Sequence, residues 1–427
     1  MKYLHENDKI FYHALFATNR VDKEREIVIF MEYNISEKLK VMKPSAIREI
    51  FKSLTDPRII AFAAGNPAAE SFPAKEFGLL AQDIFEKDAT KALQYGITEG
   101  YPALRKQLEN RLAERFGCRK EGNTLLVVSG GQQGIELACK VMCNEGDVVL
   151  CENPSFIGAL NAFRSNGARL VGVPLEEDGI DIAALEKAVE ENPTAKLLYL
   201  IPTFHNPAGI TTSYEKRQKI YEIAKKHSLI ILEDNPYGEL RFAGEEIPTI
   251  KSLDTDGIVI YCGSFSKVLS AGMRVGFVSA PDAIAQKMVV AKQVEDVHTN
   301  QFFQMLCSEF MAQYDMDEHI AKIREIYKRK AGIMLKALED YMPKSVSYTR
   351  PEGGLFLWCT LPAEIELSAF VKKALERFVA VVPGTAFNPD ETAGSHSFRL
   401  TYATPTDEQI VEGVKILGEI VNEMTQA

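Results

Sequence analysis

The stretch Leu125-Leu126-Val127-Val128-Ser129-Gly130-Gly131-Gln132-Gln133-Gly134 decides the fold class. Its four aliphatic residues read as a short buried strand, the glycines as the turn that ends it, and the segment through Met142 as a helix. The same unit recurs along the chain. Asp147–Cys151 ends at Glu152-Asn153-Pro154, Leu170–Val173 precedes a helix over 181–191, and Leu197–Ile201 ends at Thr203-Phe204-His205-Asn206-Pro207. A helix over 213–227 leads to Leu229–Leu232, which ends at Glu233-Asp234-Asn235-Pro236-Tyr237. Gly257–Cys262 ends at Ser264-Phe265-Ser266-Lys267, and Arg274–Ser279 reads as a further strand. Short aliphatic runs separated by amphipathic helices predict an α/β fold whose mainly parallel sheet is covered on both faces.

The flanks read differently. Upstream, Ile47, Ile50, Phe51 and Leu54 give a helix over 44–54 an apolar face, and Ile59–Ala63 reads as a strand ending at Gly65-Asn66-Pro67. Helices follow over 74–87 and 101–116. Downstream, long helices over 281–313 and 316–341 lead to the apolar runs Leu355–Trp358, Phe378–Val382 and Phe398–Tyr402, with helices over 367–377 and 407–424. That pattern predicts a smaller α+β unit. The expected division is an N-terminal extension over 1–30, poorly ordered, and an arm with part of the small domain over 31–75. A large domain over 76–313 and a C-terminal small domain over 314–427 complete it.

Composition narrows the function classes. A chain of 427 residues is sized for two domains, and 25% charged with 46% hydrophobic residues is a soluble globular balance. A net charge of −10 argues against nucleic-acid or anionic-membrane binding. No apolar run approaches the ~18 residues of a membrane span. The cysteines are scattered without a CxxC pair, as suits free thiols in a reducing cytoplasm. Cys139 and Cys143 lie one helical turn apart, but nothing completes a zinc set, so no metal is expected.

In open parallel sheets ligands bind beyond the carboxyl ends of the strands. The unusual polar residues of this chain fall there. Gly130-Gly131-Gln132 opens a helix and offers free N–H groups to an anion such as phosphate. Taken alone it reads more readily as a tight turn that needs glycine for steric reasons, and its spacing is not GxGxxG. Asp234 ends an aliphatic strand, where a carboxylate needs a cation or strong hydrogen bonds. Asn206 and Tyr237 end or follow neighbouring runs, and Phe156 is placed to lie flat over an aromatic ligand. Lys267 stands among Ser264, Ser266, small residues and Arg274. A desolvated lysine has a lowered pKa and forms Schiff bases with carbonyl cofactors. Alone, it is equally a surface lysine in a serine-rich loop. Together these residues match the needs of pyridoxal 5'-phosphate. Lys267 would be the covalent anchor, Asp234 the partner of the ring nitrogen, and Tyr237 with Asn206 the holders of the ring oxygen. Phe156 would be the stacking plate. Gly131, Gln132, Ser264, Ser266 and Arg274 would cradle the phosphate.

The chain resembles the PLP-dependent class I/II aminotransferases of fold type I, and within them the kynurenine/2-aminoadipate aminotransferase group. The resemblance runs from about Met31 to the C-terminus. It is carried by Gln94-Tyr95-Gly96, Ser129–Gly134, Asn206-Pro207-Ala208-Gly209, Glu233–Tyr237, Ser264–Lys267 and Phe398-Arg399-Leu400. It implies a mainly parallel seven-stranded sheet between helices, a smaller α+β domain, and a homodimer with shared active sites. It implies ping-pong transfer of an amino group from an L-amino acid to a 2-oxo acid, with 2-oxoglutarate the expected acceptor. By the same resemblance Arg399 receives the substrate α-carboxylate, for which a bidentate guanidinium is suited. Tyr95 would reach the phosphate held by a partner subunit, Gly65 would let backbone approach substrate, and Arg48 would contact substrate side chains. Two positions depart from the family pattern: Phe156 where tyrosine is usual, and Ala208 where threonine is usual. A lyase or decarboxylase on the same scaffold is the alternative reading. A ligand-sensing regulator is a further one, disfavoured because the chain ahead of Pro44 is short for a winged helix with its linker.

Overall fold

The computed structural model describes residues 33–40, 42 and 56–426. The extension over 1–30 and the helix over 44–54, with Arg48, lie outside the described residues.

The large sheet is built from β2 (Asn123–Val128), β3 (Val148–Asn153), β4 (Arg169–Glu176), β5 (Gly179–Ile180), β6 (Ala195–Leu200), β7 (Ile230–Asp234), β8 (Val259–Ser264) and β9 (Gly276–Pro281). Across the sheet the order is β2-β9-β8-β7-β6-β3-β4-β5. Strands β8, β7, β6, β3 and β4 are parallel to one another. The seven expected strands are present, and the two-residue β5 adds an eighth by folding back antiparallel on β4. Alternate residues explain why these strands read as unbroken aliphatic runs. Val149, Cys151, Leu197 and Tyr199 enter one hydrophobic cluster, while Val148, Leu150, Leu198 and Leu200 enter another on the opposite face.

Strand β9 runs antiparallel to both of its neighbours. A parallel neighbour would need a crossover of a dozen or more residues, usually a helix. The segment 265–275 instead turns straight back, leaving Lys267 just beyond the carboxyl end of β8.

Two helices differ from expectation. The helix expected over 74–87 continues to Leu93 through a kink at Asp88. The long helix expected over 281–313 is two helices, Asp282–Glu295 and Gln301–Gln313. Side chains capture the break between them: Asp296 accepts from Lys292 Nζ at 2.8 Å and from Ser129 Oγ at 2.6 Å. Asn300 then caps the second helix by accepting from the Phe303 N–H at 3.1 Å. Val297 between them has φ +65°, a strained value for a β-branched residue.

The smaller sheet runs β10 (Ser347–Tyr348), β11 (Phe356–Thr360), β14 (Ser397–Thr401), β13 (Val382–Pro383), antiparallel throughout. The apolar run 378–382 serves two sheets, because β12 (Val379–Ala380) pairs in parallel with β1 (Ile60–Ala61). That pairing, with the Thr401 N–H donating to the Phe62 carbonyl at 3.0 Å, draws the segment leading to Gly65 alongside β14 and Arg399. The helix Met316–Tyr341, capped by Asp315, packs on the C-terminal helix Asp407–Thr425 and supports this sheet. No helix of the described residues is long and apolar enough to cross a membrane.

Candidate active site

The anion cradle follows from strand register. Gly276 of β9 pairs with Val128 of β2 on one side and Ser264 of β8 on the other, so the turn after β2 and the turn after β8 meet at one sheet edge. A Cβ on Gly276 would lie 2.8 Å from the Gly130 carbonyl carbon and the Gly131 nitrogen, so only glycine permits this approach. Gly130 itself has φ +81°. The helix Gly131–Met142 therefore opens at this edge with no side-chain cap, its first N–H groups free for an anion. Ser264 Oγ donates to Ser266 Oγ at 2.8 Å, and Arg274 is tied to the Ser129 carbonyl at 3.3 Å. Gln132 turns aside to donate to the Gly158 carbonyl at 2.8 Å.

A cavity of about 380 Å³ extends from this cradle, and among the described residues every candidate for the site lines it except Tyr95. Asp234, at the end of β7, is 4% exposed, and its carboxylate accepts the Tyr199 hydroxyl at 2.8 Å. Burial pushes its pKa up to about 7, against the lowering effect of that hydrogen bond. Lys267 Nζ donates to the Gly65 carbonyl at 2.7 Å. Desolvation, then the Arg399 and Arg274 guanidinium groups, lower its pKa to about 8. Tyr237 is buried beside the ring of Phe356, edge-on at 5.8 Å, and burial raises its phenol well above the ordinary range. Phe156 lines the cavity from the position before the helix Ile157–Ser165.

Arg399 is buried, at 3% exposed. A buried guanidinium in an apolar strand calls for an anion, yet the structure gives it neutral partners. Nη1 donates to Asn206 Oδ1 at 2.8 Å and Nη2 to the Ala63 carbonyl at 2.9 Å. The Phe356 and Phe387 rings lie 4.2 and 5.1 Å from Cζ. Nε has no hydrogen-bond partner among the described residues. The cation is thus positioned but not neutralised, which suits it to an incoming carboxylate.

Tyr95 stands apart. It is 80% exposed, packs edge-on against His298, and borders a different surface depression with Ile97 and Gln301. It cannot reach the cavity of its own chain from there.

Two features of the site carry no clear mark in the sequence. Tyr199 interrupts an aliphatic strand; only the register, which pairs it with Leu232 two residues before Asp234, puts both on one face. Glu152 and His205, both 1% exposed and 3.2 Å apart, clamp the loop that presents Asn206. Glu152 accepts the Ile201 N–H at 2.8 Å, and His205 Nδ1 accepts the Ala208 N–H at 3.2 Å. Among the described residues no group of three or more His, Cys, Asp or Glu could hold a metal ion.

Known proteins share this architecture. The family model for aminotransferase class I and II matches residues 57–417. The chain belongs to that family. It is 39% identical over 396 residues to aromatic-amino-acid aminotransferase 1 of Thermococcus litoralis, covering 92% of this chain and 95% of that protein. It is 41% identical over 381 residues to the 2-aminoadipate transaminase of Thermus thermophilus, covering 88% and 94%. The solved kynurenine aminotransferase of Pyrococcus horikoshii superposes with a TM-score of 0.89 at 37% identity, over 92% of this chain and 98% of that one. The protein is therefore a pyridoxal phosphate-dependent aminotransferase. Its residues fit that cofactor: a buried carboxylate with no cation paired to it among the described residues, a desolvated amine, and a glycine-walled helix N-terminus with serine hydroxyls and Arg274 around it.

Proposed function

We propose that Lys267, Asp234 and Arg399 carry amino-group transfer in this enzyme, with an L-amino acid as donor and 2-oxoglutarate as acceptor. The observation that carries the reading is their convergence on one cavity whose far end is the open N-terminus of Gly131–Met142. Bound pyridoxal phosphate supplies a carbonyl for amine exchange and a ring that withdraws electrons from the substrate Cα.

The chain's own residues do the rest. Arg399 binds the substrate α-carboxylate and, with Asn206 bridging from its Nη1, fixes the Cα near Lys267. The Lys267 amine, held near pKa 8, is a competent base close to neutral pH and moves the proton released from Cα. Asp234 as carboxylate would pair with the ring nitrogen of the bound cofactor. Tyr237 and Asn206 would hold the ring oxygen, Phe156 would cover the ring face, and Gly131, Gln132, Ser264, Ser266 and Arg274 would hold the phosphate. Gly65 supplies the carbonyl against which Lys267 rests.

The relatives named above act on aromatic amino acids, 2-aminoadipate and kynurenine by their names, and the donor here is proposed from that group. The Phe356 ring beside Arg399 supports it, since it offers an apolar contact to a side chain entering there. A panel of amino donors, assayed with and without 2-oxoglutarate, tests both points. Oxo-acid-dependent turnover of aromatic donors or 2-aminoadipate is expected. Breakdown of the amino acid without an oxo acid would assign a lyase or decarboxylase instead.

A homodimer is part of the same reading. Leu93, Tyr95 and Val294 are 75, 80 and 86% exposed. Tyr95 packs on His298 and Phe85 on Phe302, so the helix ending at Leu93 and the segment around 298–302 lie side by side; exposed apolar residues of this kind suit a subunit interface. In a dimer Tyr95 would complete the partner subunit's phosphate site. The division into a large part over 76–313 and a smaller part over 314–427 is supported by the two separate sheets. Seven free cysteines suit the reducing cytoplasm.

A further inference from the structure

Asp234 poses a physical problem that the site as described leaves open. A carboxylate buried to this degree loses its charge unless something compensates. The titratable groups that bear on it come from each neighbouring element. Glu152 on β3 disfavours its ionisation. Cys262 on β8, paired with Asp234 in register, has its own thiol pushed far up by burial and stays neutral. Tyr237, in the turn after β7, is likewise a neutral phenol. Tyr199 on β6 alone favours the anion, through the one hydrogen bond that the carboxylate receives among the described residues.

The direction of that bond is fixed. The Tyr199 phenol is fully buried and holds its proton, so its O–H donates and Asp234 Oδ2 accepts. Its ring has no freedom to leave, being edge-on to Phe163 at 5.3 Å in the cluster beneath the cavity. With Oδ2 engaged, Oδ1 is the oxygen left for a ligand, and Asp234 borders the cavity.

We propose that Tyr199 is a positioning residue: its hydroxyl keeps Asp234 ionised and turns Oδ1 toward the pyridine nitrogen of bound pyridoxal phosphate. This rests on the role given to Asp234 above, and the test separates the two.

Apoprotein of the wild type, Tyr199→Phe, Asp234→Asn and the double variant is titrated with pyridoxal phosphate over a range of pH, reading the dissociation constant. Losing a hydrogen bond to a charged group predicts affinity about 10-fold weaker or more for Tyr199→Phe. Affinity falls on acidification as Asp234 takes up a proton, and without the phenol that fall begins about one pH unit higher. In the Asp234→Asn background Tyr199→Phe adds nothing, because the phenol acts through the carboxylate. Wild-type affinity and an unmoved acid limb in Tyr199→Phe, with Asp234→Asn weakened, overturn the role of Tyr199 and leave Asp234 in place. An equal loss from Tyr199→Phe in both backgrounds overturns it as well, assigning the ring to packing. Wild-type affinity in Asp234→Asn overturns the reading of Asp234 itself.

Discussion

Lys267 and Asp234 are both moved by burial toward neutrality, and each displacement has a measurable consequence. The lysine's pKa is lowered from 10.5 to about 8, so its nucleophilic form grows in as pH rises through 8. Apoprotein should capture pyridoxal phosphate at a rate that rises with pH and levels off above that midpoint. Stopped-flow absorbance reads this; a midpoint near 10.5 would mean a solvated lysine. Asp234 is raised from 3.8 to about 7, so the folded chain binds more protons than the unfolded one between those values. This group therefore makes apoprotein stability fall as pH rises across that window, by about 1.4 kcal/mol for each pH unit crossed. Asp234→Asn should remove that fall, and thermal unfolding of both apoproteins at several pH values checks it. Equal pH dependence in the two would contradict a raised carboxyl. Asn206, Asp234 and Lys267 were legible because each stands just beyond an aliphatic run, whereas Arg399, inside such a run, was read only from the family resemblance. Tyr199 was not legible, since a tyrosine inside such a run shows its polar tip only when the register to Asp234 is known.

At the scale of elements, the meeting of β2, β8 and β9 decides whether an anion is held. Gly276→Ala places a methyl 2.8 Å from the Gly130–Gly131 backbone, which must shift. Overpacking of this kind costs about 1–3 kcal/mol. Lower thermal stability together with weaker cofactor affinity is expected, measured by calorimetry and titration; an unchanged affinity would show that the helix opening at Gly131 does not hold the phosphate. The alternation of strands and helices was readable from period and turn residues. The break at 296–300 was not, because it is made by long-range partners: Ser129, Lys292 and Gln133 converge on Asp296 from other segments or the preceding turn. The antiparallel course of β9 also depends on tertiary pairing, since 265–275 carries no mark of which edge it returns to.

For the whole molecule, the exposed apolar residues Leu93, Tyr95 and Val294 support the expectation of a homodimer. Val294 is 86% exposed, so Val294→Glu should leave the chain's own packing intact while placing a charge in any interface there. Sedimentation is expected to show a smaller species with weakened cofactor retention, as Tyr95 no longer reaches a partner. An unchanged mass with the variant would put the interface elsewhere. That their exposure was invisible in the sequence is physical: exposed and core apolar residues alternate on the same helix, as Leu79 and Leu80 do at 56 and 2% exposure.

Everything proposed for the site depends on Lys267 being the covalent anchor of the cofactor. Borohydride reduction of the holoenzyme, followed by peptide mass spectrometry, tests that directly. A reduced pyridoxyl group is expected on the peptide containing Ser264-Phe265-Ser266-Lys267, at Lys267. Stable modification of a different lysine, with Lys267 recovered unmodified, would contradict it.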